Sequence, residues 1–326
     1  MSDWLLLDGA RRLLADTCTH EVIQAAEADG WSATVWDALA ASGYADLAGL
    51  QLTDAMAVLS LAGEHAAPVP LAEATLAGWL MGASFQGTVS VVPPGAPGEL
   101  RLRHGLLSGA ARAVPWGRAV ERVVAVVDGE AVAVRTSVAA GLQRRSNLAG
   151  EPRDTLVFDR ASVEEVRRPA CDLGERGALT RAALMAGGLV AMARLTIAYA
   201  GERRQFGRPI AAFQAVQQHL VSLAQEASLV ALACERAARV AGFFEIAAAK
   251  QLASRAALTA TRAAHQVHGA MGMTQEYRLH HFSRRLWAWR SEYGDEQQWA
   301  LRLGAAVARA GAGELYPAIT GGSAVI

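Results

Sequence analysis

Between Phe213 and Cys234 the apolar positions fall at Phe213, Val216, Leu220, Leu223, Ala227, Val230 and Cys234, in steps of three and four. Gln217, Ser222, Gln225 and Glu226 lie between them. A period near 3.6 puts the apolar set on one face and predicts a helix that buries it. The helical period persists from about Leu179 to Gly311, which predicts an antiparallel bundle. Gly187-Gly188 interrupts one stretch at a cost in helix propensity, so the pair is expected where two helices approach closely. From about Gly87 to Arg168 the pattern changes to short valine-rich runs, VSVVPP, ERVVAVV, EAVAVRT and DTLVFD, whose stiff branched side chains favour strands. Asp128-Gly129 separates two of these runs and predicts a tight hairpin, because glycine supplies the positive φ such a turn needs. This region is read as a small antiparallel β structure. Residues 1 to about 85 are rich in alanine and leucine and broken at DGW (29–31) and SGY (42–44), which predicts short helices. The two prolines of GEHAAPVPLAEA (63–74) predict a bend between helices.

The fold class is therefore mainly α with a small β domain: an N-terminal helical domain over 1–86, a middle antiparallel β domain over 87–170 and a C-terminal helical bundle over 171–326, ending in a small-residue tail expected to fray. A chain of 326 residues at 52% hydrophobic supports a large core divided into two or three lobes. Its 31 basic and 31 acidic residues cancel, which argues against a nucleic-acid or anionic-membrane partner. Lys250 is the only lysine. Cys18, Cys171 and Cys234 form neither a CxxC pair nor an even set, so neither a metal site nor a disulfide framework is expected, and a reducing cytoplasm fits. The start, MSDWLLLDGARRLL, has no basic region before its apolar run and does not read as a secretion signal. The apolar run Ala182 to Ala193, bounded by Arg181 and Arg194, is too short to span a bilayer, and a soluble cytoplasmic protein is expected.

Two motifs add chemistry to this order. GERRQFGRPIAAFQAVQQHL (201–220) and HQVHGAMGMTQEYRLHHFSRR (265–285) resemble the acyl-CoA dehydrogenase family. Its sequence of α domain, β domain and four-helix bundle matches the pattern above. The resemblance is strongest over about 178–310 and reaches the N-terminal region through GEHAAPVPLAE. It implies oxidation of an acyl-CoA thioester to its α,β-enoyl form, with a carboxylate removing the α proton while the β hydride passes to FAD. It also implies a FAD lying between two subunits, one holding the flavin ring and the other the diphosphate and adenine end. For that second role the resemblance assigns Arg203 and Phe206, in R-x-x-F-G, and Gln214, eleven residues after Arg203. A guanidinium fork suits a phosphate. Gln266 and Gly269 match the family's Q-x-x-G-G turn, where a missing side chain lets backbone approach the cofactor, and Ala270 replaces the second glycine.

Other family features are missing. The flavin-holding T-E-P-x-x-G-S-D and K-x-W-I/T segments have no counterpart in VSVVPPGAPGELRLRHGLLSGAARAVPWGRAVERVV, and Trp116 in AVPWG reads as a packing residue. The stretch SEYGDEQQW (291–299) aligns with Y-E-G-T-S-x-I-Q, whose glutamate is the usual base. Tyr293 occupies that position, followed by Gly294, with Asp295 and Glu296 where the family has hydroxyls; Glu292 is one residue early. A one-residue offset redirects a helical side chain by a quarter turn or more. The alternative base position, near the first bundle helix, is occupied by Gly177, and an arginine expected near the CoA is Ala178, with Glu175, Arg176 and Arg181 close by.

This pattern resembles the small, non-catalytic subunit of actinobacterial heterotetrameric acyl-CoA dehydrogenases, several of which act on steroid side-chain CoA thioesters. The resemblance implies an α2β2 assembly in which a catalytic partner provides base, flavin loop and substrate pocket, and this chain completes the shared FAD site. Two alternatives stand beside it: an active homodimer using Glu292, Glu175 or Asp295 as a displaced base, and a scaffold protein without FAD. His265, His268, His280 and His281 lack an accompanying acid or cysteine set for a metal and read as packing residues. Arg284 is read as structural, and Trp287, Trp289 and Trp299 as packing or interface residues.

Overall fold

The computed structural model describes residues 4–95 and 100–322. Its N-terminal helices are α1 (Trp4–Thr17), α2 (His20–Asp29), α3 (Ala33–Ala41), α4 (Leu52–Glu64) and α5 (Leu71–Met81). Strands follow: β1 (Val89–Val91), β2 (Arg101–Arg103), β3 (Leu106–Pro115), β4 (Arg122–Val127), β5 (Glu130–Arg135), β6 (Gly141–Gln143), β7 (Arg153–Ser162) and β8 (Glu165–Arg167). The remaining chain comprises α6 (Leu173–Glu202), a small hairpin of β9 (Arg204–Gln205) and β10 (Arg208–Pro209), α7 (Gln214–Val240), α8 (Phe243–His268), α9 (Leu279–Ser291), α10 (Glu296–Ala310) and α11 (Leu315–Gly321). The order of helices, strands and bundle follows the sequence pattern. By internal packing the described residues form two compact units, 8–51 with 67–95 and 100–177, and 4–7 with 52–66 and 178–322.

In the first unit the helix breaks have local causes. Thr19 and Ser32 cap α2 and α3 by accepting the Val22 and Val35 amides at 3.4 and 3.3 Å. Gly30 ends α2 in the left-handed conformation at φ 104°, which accounts for the DGW break. The strands form two four-stranded sheets, ordered β1-β4-β5-β8 and β2-β3-β7-β6. The expected hairpin joins β4 to β5, with Asp128 and Gly129 both left-handed at φ 52° and 83°. The expectation of a wholly antiparallel region needs one correction, since β1 runs parallel to β4. The chain leaves β1 for the other sheet before returning, and that long crossover permits a parallel pairing that a tight turn cannot make. β3 escaped the sequence reading because Gly109, Ala110 and Ala111 blur its alternation; its register with β7 shifts twice. Trp116 is buried with Leu107, Val114, Val123, Val132, Leu156 and Phe158, as the packing reading expected.

In the second unit α7 buries Leu223, Ala227, Val230 and Cys234, the inner part of the face read from the sequence. Gly187 performs the close approach expected of its pair: a Cβ there would overlap the Ser60 carbonyl oxygen of α4, and one on Gly63 of α4 would overlap the Leu184 carbonyl. Gly188 is looser, with a Cβ meeting Leu286 at an ordinary 3.6 Å. Gly187→Ala should therefore destabilise the chain by about 3 kcal/mol or more, because backbone cannot yield as a side chain does, whereas Gly188→Ala should stay within about 1 kcal/mol. Thermal denaturation of the two variants checks the difference. Helix α6 extends beyond the run Ala182–Ala193 and is long and apolar enough to cross a bilayer by length and composition, but 61% of its most apolar window is buried inside the protein, as in a core helix.

Candidate functional site

The arginine motif begins where α6 stops. The Arg203 amide donates to the Tyr199 carbonyl at 2.8 Å, and the Ile210 amide then donates to the Arg203 carbonyl at 2.8 Å, closing the loop around the β9–β10 hairpin. The two turn residues, Phe206 and Gly207, are both left-handed at φ 51° and 80°. Glycine adopts that conformation freely; phenylalanine does so with strain. The strained Phe206 is also 91% exposed, the most exposed large apolar side chain among the described residues. Its ring meets Phe213 edge-on at 6.0 Å, and the Arg208 guanidinium lies 4.3 Å over Phe213. Arg203, Arg204 and Arg208 are exposed around it. Gln214, also exposed, opens α7, whose N-cap residue Phe213 supplies no side-chain acceptor. The hairpin presents an aromatic ring, a group of guanidiniums and a helix N-terminus to the outside.

The second motif begins where α8 stops. Gly269 caps it at φ 57° and ψ −137°, a conformation reserved for glycine, and a Cβ there would meet no atom within 4 Å. Gln266, Gly269 and Ala270 are all exposed. Beneath them Gly272 is packed so tightly that a Cβ would lie 3.0 Å from His268 Cβ and 3.1 Å from Leu279 Cδ2. The two motifs meet through Tyr199. Its hydroxyl donates to the His268 carbonyl at 3.4 Å, while its ring stacks on His268 with centroids 4.4 Å apart. All six residues assigned to the dinucleotide side thus lie exposed on two segments linked by one tyrosine.

His268 is 3% exposed. Its Nδ1 lies 2.8 Å from the Ala264 carbonyl, which fixes the proton there, and its Nε2 accepts from the Tyr277 hydroxyl at 3.3 Å. Burial holds the imidazole below its usual pKa, against the Ala264 hydrogen bond, and the neighbouring His265 adds to the lowering. His280 lies against His281 with ring centroids 4.0 Å apart and its Nε2 3.1 Å from the Gln275 carbonyl.

The turn SEYGDEQQW lies between α9 and α10, with Tyr293 and Gly294 left-handed at φ 56° and 96°. Each carboxylate in it has a structural task. Glu292 accepts from Arg181 Nε at 2.6 Å, and Arg181, 1% exposed, also lies 5.5 Å over the Tyr293 ring. Asp295 is the N-cap of α10, accepting from the Gln298 amide at 2.9 Å while the Gln298 side chain accepts from the Asp295 amide. Glu296 accepts from Arg290 Nε at 2.9 Å, and that bond holds its carboxyl below the usual range. Trp299, buried as expected, donates its indole N–H to the Tyr293 carbonyl at 2.8 Å. Trp289 is buried too, whereas Trp287 is partly exposed and donates to Thr261 at 3.2 Å.

Below the turn lies Lys250, which stood out in the sequence only as the single lysine. Fully buried, its ammonium donates to the Gly294 carbonyl at 2.6 Å, the Arg290 carbonyl at 2.8 Å and Ser254 Oγ at 2.8 Å. It caps the C-terminal carbonyls of α9 from a neighbouring helix, where the helix dipole favours a cation. Burial lowers it to about 7, although Glu292 nearby favours the charged form. The signal available in the sequence was its solitude among arginines. Tyr199 was legible only as the residue one turn before Arg203.

At the alternative base position Gly177 lies inside α6 with no side chain to move a proton, and Ala178 beside it is buried. Nearby, the Glu175 backbone amide donates to the Asp172 carboxylate at 2.7 Å, and the Arg176 guanidinium lies 5.4 Å over the Trp79 ring.

Residues 175–305 match the model of the acyl-CoA dehydrogenase C-terminal domain. The acyl-CoA dehydrogenase IpdE2 of Mycobacterium tuberculosis is 28% identical over 249 residues, covering 73% of this chain and 72% of that protein. Among solved structures, the ChsE4-ChsE5 complex from Mycobacterium tuberculosis superposes with a TM-score of 0.81 at 22% identity, over 93% of this chain and 96% of that one. A variant of the steroid ACAD Tcur3481-Tcur3483 gives a TM-score of 0.82 at 22% identity, over 93% and 97%. With the helical region, the β sheets and the bundle in the same order, the chain has the acyl-CoA dehydrogenase fold, and its residues 175–305 match the C-terminal domain of that family.

Proposed function

We propose that this chain is the accessory subunit of a heteromeric, FAD-dependent acyl-CoA dehydrogenase, completing the dinucleotide side of a FAD site whose flavin side, base and acyl-CoA pocket belong to a catalytic partner. The observation that carries this reading is the contrast between the two motif regions: the cofactor motifs point outward and the base turn is closed inward. Phe206 is held exposed in a strained conformation, its ring meeting the edge of Phe213. Such a residue fits a surface completed by another molecule.

The residues present fit FAD. Arg203 offers a planar donor fork for a diphosphate, beside the N-terminus of α7. Phe206 offers a ring face, and the bare backbone of Gly269 leaves room for a group to approach. Gln214, Gln266 and the Ala270 backbone supply polar contacts on either side. When bound, FAD accepts the hydride from the acyl β carbon. This chain holds and orients the far end of the dinucleotide and shields it from water; the proton step belongs to the partner. The α2β2 stoichiometry follows from the same reading, and the heteromeric solved relatives support a partner of the same fold. The steroid ACAD among them supports a steroid side-chain CoA as the substrate class.

The homodimer alternative needs a carboxylate free to take a proton. Of its three candidates, Glu292 and Asp295 are engaged by Arg181 and the α10 cap, and Glu175 stands in the first turn of α6. The discriminating experiment is single-turnover flavin reduction by an acyl-CoA in the co-expressed complex. Glu292→Gln should change the rate less than about 3-fold, whereas changing the partner's glutamate should lower it by at least about 10³-fold, the scale of a lost general base. The reverse ranking would establish the displaced base.

A further inference from the structure

The two cofactor motifs are separated by more than forty residues, and what links them is a small aromatic network. The Tyr199 carbonyl receives the Arg203 amide on one side, and its hydroxyl reaches the His268 carbonyl on the other. His268 stacks on Tyr199 and accepts from Tyr277, whose ring also lies 5.8 Å from Tyr199, edge-on. Gly272 packs against the His268 Cβ. None of these three side chains belongs to the residues facing the dinucleotide. All of them contact the backbone or a side chain that leads directly into that face.

We propose that Tyr199, His268 and Tyr277 are positioning residues that hold the Gly269–Met273 turn at a fixed distance from the arginine hairpin, so that both contact one dinucleotide together. The proposal rests on the FAD reading above and adds the device that makes two separate motifs one surface. Its chemistry depends on the neutral imidazole, because Nδ1–H is donated to Ala264 and Nε2 must accept. Protonation would make Nε2 a donor and place a charge within a buried stack. The groups facing His268 are Tyr199 and, through Tyr277, Glu202 from α6, His265 from its own helix, and Tyr277 from the segment before α9. None is placed to stabilise an imidazolium strongly. Since the folded pKa lies below that of the unfolded chain, the contribution of the network is complete above pH ~6.5 and is lost as pH falls below it.

The test is FAD affinity, by flavin fluorescence titration of the co-expressed complex stripped of flavin, for the wild type, Tyr277→Phe, His268→Asn and Arg203→Ala. Tyr277→Phe removes one hydroxyl and should weaken FAD about 3- to 5-fold; His268→Asn removes stack and acceptor and should weaken it about 10-fold or more. Wild-type affinity should hold down to about pH 6.5 and decline only below it, a decline that His268→Asn abolishes and His265→Asn retains. In the flavin-free chain, long-range nitrogen NMR should show His268 as the neutral Nδ1–H tautomer at pH 7, a readout independent of FAD. If Arg203→Ala weakens FAD while Tyr277→Phe and His268→Asn bind as the wild type does, the positioning role is wrong and the FAD reading stands. If Arg203→Ala also binds normally, the FAD reading fails and the positioning role fails with it. Should His268→Asn not fold, Tyr277→Phe and the tautomer decide.

Discussion

In the co-expressed complex, Arg203→Ala should weaken FAD binding by about 10- to 100-fold, the range for one charge-assisted contact to a phosphate. Arg203→Lys should recover only part of the loss, because an ammonium keeps the charge and loses the fork. Arg204 is a sharper control than a distant residue. It is equally exposed, but its guanidinium is turned back onto the Gly207 carbonyl at 3.0 Å, so Arg204→Ala should loosen the hairpin and weaken FAD less than Arg203→Ala does. Fluorescence titration at two salt concentrations separates the effects, since a phosphate contact from Arg203 would be screened and the local hydrogen bond of Arg204 much less so. Equal losses for both arginines would mean that the hairpin acts only as a rigid loop.

The largest effect on stability should come from Lys250. Lys250→Met fills the same volume but leaves the Gly294 carbonyl and Ser254 Oγ without the lysine's donation and the Arg290 carbonyl with that of Ser254, at a cost of about 2–4 kcal/mol at pH 7. The sign of the pH dependence follows from the lowered pKa. With a folded value of about 7 and an ordinary unfolded value of 10.5, the unfolded chain binds the additional proton between those limits. The lysine's contribution is therefore least favourable below pH 7, where both states are charged, and grows as pH rises towards 10. The gap in unfolding free energy between the wild type and Lys250→Met should widen by about 1–2.5 kcal/mol from pH 7 to 9. Urea denaturation at the two pH values measures it. A constant gap would mean that the amine stays fully charged beneath the turn.

What could be read from the sequence, and what could not, divides along physical lines. The α7 face was legible because its apolar steps of three and four repeat over several turns, and the β4–β5 hairpin because Asp128-Gly129 states its own turn type. Gly187 was legible as a close approach, although only the packed structure separates it from Gly188, whose neighbour is a side chain. The parallel pairing of β1 with β4 was hidden, since no local pattern records which strand a segment meets after a long excursion. The outward-facing motif residues were found through family resemblance; their exposure and the strain at Phe206 came from the fold. The acidic turn was the least legible part. Glu292, Asp295 and Glu296 look alike in sequence, and their separate engagement depends on Arg181, more than a hundred residues earlier, and on a helix cap and Arg290 close by. Lys250 and Tyr199 act through backbone carbonyls, which carry no sequence signature at all.

The most direct test of the accessory role is the flavin content of the purified chain, alone and after co-expression with an acyl-CoA dehydrogenase chain that carries the base glutamate, read from the visible spectrum and related to the amount of each polypeptide. An accessory subunit retains no flavin alone and holds one FAD for each pair of unlike chains in the complex, with bleaching by an acyl-CoA that depends on the partner's glutamate. Flavin retained by this chain alone, and bleached by an acyl-CoA, would contradict it.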